Sequence, residues 1–214
     1  MRLSAESLSG VRGERPLFSG LGFTLEPGEA LVLTGPNGSG KSSLLRLVAG
    51  FGRPTAGTLR WNGTPIAEDL ESYRCVLHFV GHQEALKPAL TARETLRFWA
   101  DLAGRPLDDA LGPLTTMGLA RAAAQPCRFL SSGQRRRLAL ARLIAWQAPL
   151  WLLDEPTVGL DDEALALVTD LIERHRAQGG IVLLATHQPL ALARARHLSI
   201  ADFPPARPAA ATAW

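Results

Sequence analysis

Apolar and polar positions along the chain switch between two periods, and the switch points divide it into strands and helices. GFTLE and ALVLTG carry the short apolar runs of strands, and KSSLLRLVAG predicts a short helix ended by Gly50. GTLRWNGTPI predicts a hairpin turning at Asn62-Gly63, and CVLHFVG a further strand. From about Thr91 to Trp146 the pattern is mostly helical. There Thr91-Ala-Arg-Glu94 forms a capping box, and Leu96, Trp99 and Ala103 share one face of the helix it opens. Strand and helix then alternate again: LWLLDE as a buried strand, Leu160 to Gln178 as a helix closed by Gly179-Gly180, and IVLLAT as another buried strand. FPPARPAAATAW is low in complexity and reads as a flexible tail over 203–214. No internal repeat is visible, and the whole predicts an α/β sheet domain with a helical insert.

Composition narrows the class. A chain of 214 residues, 46% hydrophobic and 20% charged, can bury a substantial core and resembles an average globular protein. The first 16 residues hold no apolar run of secretory type, and the longest apolar region, Leu138 to Leu153, is broken by Arg142, Gln147 and Pro149. The expectation is a chain neither secreted nor membrane-spanning. Cys75 and Cys127 form no paired motif and are expected as free thiols. Of the 23 basic residues all but Lys41 and Lys87 are arginine, and the net charge is only +3. Such scattered charge selects neither a lipid surface nor a nucleic acid, and no nucleic-acid partner is expected. A lysine inside a glycine loop of so arginine-rich a chain points to a site that needs a compact ammonium on a flexible stem.

Gly35-Pro-Asn-Gly-Ser-Gly-Lys41-Ser42 matches GxxxxGK[ST] in full and lies between a strand and a helix, as phosphate binding requires. Glycines let backbone N–H groups face phosphate oxygens, the helix N-terminus adds positive potential, Lys41 reaches the β and γ phosphates, and the Ser42 hydroxyl ligates Mg²⁺. Leu150-Trp-Leu-Leu-Asp154-Glu155 delivers two acids to the end of a strand. Beside such a loop, Asp154 would hold Mg²⁺ and Glu155 would orient or deprotonate the attacking water. Leu130-Ser-Ser-Gly-Gln134 stands before RRRLALARLIAW, with Ser131 and Gln134 spaced as a capping box, so it marks a helix N-terminus able to hold an anion. The Arg135–Arg137 run reads as a solvated basic patch with partly buried stems.

These motifs, in this order, resemble the ATP-binding cassette (ABC) family over nearly the whole chain. The resemblance implies an ABC ATPase fold: a P-loop NTPase, RecA-like core (about 1–85 and 148–202) with an antiparallel β edge and an inserted helical subdomain (about 86–147), together one domain over 1–202. It identifies Gly35, Pro36, Asn37, Gly38, Ser39, Gly40, Lys41, Ser42 and Ser43 as the ATP phosphate loop. Gln83 becomes the residue that senses Mg²⁺ and the γ-phosphate, with Ser42 and Asp154 as the other metal-holding residues. Glu155 is the general base, His187 the γ-phosphate contact, and Gly159-Leu-Asp161 the loop after the acids. Ser131, Ser132, Gly133 and Gln134 would complete the site of a second copy, so that two copies sandwich two ATP molecules.

Three departures from the family pattern stand out. LSSGQ places Ser132 where glycine is usual, Arg12 stands where an aromatic residue often stacks on adenine, and TVGLD replaces SALD. GHQEALKPALTARETLRFW, LSSGQRRRLALARL, APLWLLDEPTVGLD and ATHQPL resemble more narrowly the haem-exporter ATPases of bacterial cytochrome c maturation. That resemblance implies a peripheral subunit on the cytoplasmic face of the inner membrane, working with integral membrane permease subunits of a cytochrome c maturation complex. Cys75, His78 and His82 run along a strand into a loop, and no direct haem ligation is expected of them. The 88 residues between Lys41 and Leu130 leave no room for the long coiled coil of chromosome-organising cassette ATPases, and a small P-loop kinase would leave LSSGQ and His187 without a task. An ABC transporter ATPase for a different cargo is the competing reading.

Overall fold

The computed structural model describes residues 1–188 and 190–205, so the tail expected over 203–214 lies outside the described residues from 206 onward. Fifteen regular elements are named here in chain order. They are β1 (Leu3–Arg12), β2 (Arg15–Leu25), β3 (Ala30–Thr34), α1 (Lys41–Val48), β4 (Ala56–Trp61), β5 (Thr64–Pro65), α2 (Leu70–Cys75) and β6 (Leu77–Val80). After them come α3 (Ala92–Leu102), α4 (Leu111–Thr116), α5 (Ser132–Ala145), β7 (Leu150–Asp154), α6 (Asp162–Ala177), β8 (Ile181–Ala185) and β9 (Arg196–Ser199).

Two sheets result. The antiparallel one runs β2-β1-β4-β5, and the parallel one β6-β7-β8-β3-β9. In the first, the β4–β5 turn has Asn62 at φ 53° and Gly63 at φ 87°. Two positive φ values in a two-residue loop match the right-handed twist of the flanking strands, which explains the Asn-Gly pair.

The period-2 alternation of the parallel strands sorts their side chains between two cores. Leu31 and Leu33 of β3, Leu150 and Leu152 of β7, and Ile181 and Leu183 of β8 face α1 and the antiparallel sheet. Val32, Trp151, Leu153, Val182 and Leu184 face the opposite way, into a core shared with Leu96, Leu114, Met117, Leu138 and Leu140 of the helical region. The helices of the insert are thus packed on the same core as one face of the sheet. Both faces of β7 and β8 are covered, which is why these strands read as unbroken apolar runs.

Several details differ from the sequence expectation. Strand β1, helix α2 and edge strand β9 had no clear pattern. Cys75 ends α2 instead of lying in the strand that follows. The buried face of α3 is Ala92, Thr95, Leu96 and Ala100, while Ala103 is its exposed C-cap, because the helix ends one residue earlier. Helix α6 starts at Asp162, since the Asp161 side chain accepts from Ala164 N at 2.9 Å and caps it. Phe203 packs against the core and its carbonyl accepts from Ser19 N, so this residue belongs to the folded body. Among the described residues no helix is long and apolar enough to cross a membrane.

His78 lies buried in β6, where its Nε2 donates to the Trp146 carbonyl at 2.9 Å. Burial pulls its pKa down to about 4, partly opposed by that hydrogen bond. Below about pH 6.5 the unfolded chain takes up a proton that the folded chain refuses until about pH 4. The stability due to neutral His78 is therefore complete above pH 6.5 and is lost as the pH falls toward 4. Replacing it removes that loss: His78→Gln should lose about 1–2 kcal/mol less than the wild type between pH 7 and pH 5 in urea unfolding. Equal losses in the two proteins would contradict the assignment.

Candidate active site

Parallel pairing sets the level of the site. Ala185 of β8 pairs with Leu33 of β3 on one side and with Asp154 of β7 on the other, and Val80 of β6 pairs with Leu153. The four loops that leave these strands therefore begin at one edge of the sheet, where α/β proteins place their ligand crevices.

The loop after β3 wraps into the N-terminus of α1. Gly40 is the N-cap at φ 109°, and a Cβ there would lie 3.2 Å from Leu17 Cβ and from Phe18 Cδ1. No side chain caps the helix and no acid sits in its first turn, so its N–H groups and positive end are left to an anion. Lys41 is buried, and its Nζ donates to the carbonyls of Gly35 at 2.7 Å and Pro36 at 3.1 Å. The Ser39 hydroxyl is buried in the same loop without a hydrogen-bond partner. A strained glycine loop, an enclosed ammonium and an orphaned hydroxyl together suit a polyphosphate.

Ser42 Oγ donates to Asp154 Oδ1 at 3.0 Å and ties the helix to the end of β7. The pair is an all-oxygen donor set of the kind Mg²⁺ takes. Both residues, with Gln83, Ser43 and Arg12, line one cleft of about 1140 Å³. Gln83 itself is exposed on the loop after β6.

Glu155 follows Asp154 and adopts φ 51°, a left-handed conformation uncommon for a residue with a side chain. Its N–H donates to the Ala185 carbonyl at 2.8 Å. Its carboxylate Oε2 accepts from the His187 backbone N–H at 3.1 Å, and Oε1 lies 3.3 Å from His187 Nε2. The carboxylate is largely buried while His187 is about half exposed. The structure thus brings together the phosphate loop, both acids, Gln83 and His187.

Ser131, Ser132, Gly133 and Gln134 do not line the cleft that holds Ser42, Asp154 and Gln83, nor do Lys41, Glu155 and His187, although Arg135 and Ala139 of the same helix do. Ser131 and Gln134 form a reciprocal capping box on α5, with Ser131 and Ser132 exposed. A Cβ on Gly133 would lie 3.0 Å from the Gly159 carbonyl, so the signature rests against the loop after the acids. Asp161, besides its expected part in the site, serves as the N-cap of α6.

Arg136 corrects the expectation of a solvated basic patch. It is 2% exposed, and its guanidinium donates to four backbone carbonyls, those of Gly81, Asp154, Glu155 and Pro156. Burial lowers its pKa, while the carboxylates of Glu84, Asp154 and Glu155 act in the opposite sense. Helical spacing carried the signal: Arg136 shares a face with Ala139, Leu140 and Leu143, all buried. Arg142, six residues on, donates to the Phe79 carbonyl and has its pKa pulled down to about 10, first by burial and then by the charge of Arg136. Cys75, His78 and His82 are divided among α2, β6 and the next loop. Among the described residues no three His, Cys, Asp or Glu side chains converge to hold a metal ion.

Comparison with known proteins bears on the family and the fold. Residues 18–158 match the family model described as "ABC transporter". The chain is 50% identical over 207 residues to the cytochrome c biogenesis ATP-binding export protein CcmA of Paramagnetospirillum magneticum, covering 94% of each chain. It is 52% identical over 202 residues to the protein of that name in Rhodospirillum rubrum, covering 94% of this chain and 87% of the other. A solved ATP-binding subunit of an ABC transporter superposes with a TM-score of 0.77 at 27% identity, over 87% of this chain and 80% of its own. An ATP-binding protein from Pyrococcus furiosus shares the fold with a TM-score of 0.80 at 22% identity, over 95% and 100% of the two chains.

Gly40 supplies a direct check on the phosphate loop. Gly40→Ala adds a methyl group against Leu17 and Phe18 at a φ that L-residues avoid. It should weaken ATP binding at least tenfold and destabilise the fold by about 1–2 kcal/mol. Titration with a fluorescent ATP analogue and thermal unfolding read the two effects, and wild-type affinity in the variant would contradict the reading of the loop.

Proposed function

The chain belongs to the ABC transporter family, within it to the cytochrome c biogenesis ATP-binding export proteins, and on that basis we propose that it is the ATP-hydrolysing subunit of a cytochrome c maturation transporter. Through integral membrane permease subunits it powers haem export or delivery across the inner membrane, from that membrane's cytoplasmic face. The observation that carries the hydrolase reading is the Glu155 carboxylate, held by the His187 backbone N–H and next in the chain to the Asp154 that Ser42 binds. The cargo reading rests on identity to proteins of that name over nearly the full chain.

Each group takes a defined part. The loop amides, the α1 N-terminus and Lys41 hold the triphosphate, and Arg12 stacks its guanidinium on the base. Ser42, Asp154 and Gln83 would hold Mg²⁺, which when bound neutralises charge on the phosphate oxygens. Glu155 accepts a proton from water as the water oxygen bonds to the γ-phosphorus and the β,γ-bridging P–O bond breaks, leaving ADP and phosphate. The His187 backbone N–H holds one carboxylate oxygen of Glu155 and the ring lies beside the other, so the base is aimed before the water arrives. Ser131, Ser132, Gly133 and Gln134 close the site of a second copy, a part that the exposure of Ser131 and Ser132 at the start of α5 supports. ATP is then the ligand that favours the closed pair, and loss of the γ-phosphate releases it.

Glu155→Gln keeps the shape of the side chain and removes the base. It should bind ATP with near wild-type affinity, hydrolyse it at least a hundredfold more slowly, and accumulate as an ATP-bound pair in size-exclusion chromatography. Recovered from solubilised membranes, the trapped pair should carry cytochrome c maturation subunits. Normal turnover would remove Glu155 as the base, and co-purification of another transporter's permease alone would favour the different-cargo reading.

A further inference from the structure

Arg136 has no role in the reading above, yet it is the most heavily bonded side chain near the site. Its Nη2 donates to the carbonyls of Asp154 and Glu155, each at 2.6 Å, its Nε to that of Pro156 at 3.2 Å, and its Nη1 to that of Gly81 at 2.8 Å. Among the described residues it makes no ion pair with a carboxylate. A buried cation satisfied only by backbone oxygens is a costly arrangement, and it fixes the backbone it binds.

That backbone is the part of the site under strain. Glu155 sits at φ 51°, and its own carbonyl and those on either side of it in the chain, Asp154 and Pro156, all point at the one guanidinium. The fourth bond reaches the residue two before Gln83. Arg136 itself stands on α5, five residues beyond Ser131. Its two neighbours in sequence do nothing comparable: Arg135 donates to Leu130 and Arg137 to Met117, both within the helical region.

We propose that Arg136 is a positioning residue for hydrolysis: it holds the 154–156 turn in the conformation that aims the Glu155 carboxylate, and it fastens the Gln83 loop and the signature helix to that turn. The proposal rests on Glu155 as the base. The Arg136 charge is attracted to the adjacent carboxylates of Asp154 and Glu155 and reduces their mutual repulsion. A planar fork with five N–H donors can serve four carbonyls in a fixed arrangement, whereas a lysine ammonium has three donors and no plane.

The test compares Arg136→Lys, Arg136→Gln and the control Arg142→Lys in the purified full-length chain. Arg142 donates to Phe79 on the same strand-to-loop segment but makes no bond to residues 154–156. Arg136→Lys and Arg136→Gln should lower kcat at least tenfold while KM and ATP affinity stay within threefold, with the lysine variant the better of the two. Arg142→Lys should lower the thermal midpoint and leave kcat within threefold. Wild-type kcat in Arg136→Lys, a rise in KM that matches the fall in kcat, or an equal kcat loss in Arg142→Lys would overturn the proposal. So would failure of both Arg136 variants to fold, which would make the residue part of the scaffold only. A wild-type chain that hydrolyses no ATP would instead overturn the hydrolase reading beneath it.

Discussion

The parallel register of β3, β7 and β8 is the constraint on which the site depends. Because Ala185 is level with both Leu33 and Asp154, the phosphate loop, the two acids and the His187 segment leave the sheet at one height. A shift of one residue in either pairing would turn every apolar side chain to the wrong core and carry the acids away from Ser42. The two cores make such a shift costly, since alternate residues of these strands are fully buried on opposite faces. Packing thereby sets the geometry at the sheet edge, and the Ser42–Asp154 hydrogen bond closes it.

Local signals made much of this legible in the sequence. The glycine loop, both capping boxes, the Asn62-Gly63 turn and the apolar strands before Gly35 and Glu155 each act over a few residues and are found where their chemistry demands. What escaped depends on distant partners. Strand β9 is four residues long, RHLS, without an alternating pattern, and exists because its backbone pairs with β3. Helix α2 has six residues and a single buried side chain, Tyr73, so its periodicity is too short to stand out. For Arg136 a run of three arginines suggests solvent, although helical spacing sets the middle one among apolar neighbours. What buries it is the loop carbonyls of Gly81 and residues 154–156, contacts formed only once the helix docks on the sheet.

The candidate site divides in two in a way that matches its proposed use. The groups that would grip and attack the triphosphate stand on loops that leave one edge of the sheet, whereas Ser131 and Ser132 are exposed at the start of α5. In the proposed function a second copy supplies the other half to each, ATP joins the halves, and cleavage lets them part.

Sharing between copies is the central claim, and mixing two inactive variants tests it most directly. Lys41→Ala cripples the phosphate loop and leaves the serine cap, while Ser131→Ala does the reverse. A mixed pair contains one site with both halves intact, so combining the two proteins should restore ATPase activity well above that of either alone. Activity in the mixture equal to the average of the separate proteins would contradict a site built from two chains.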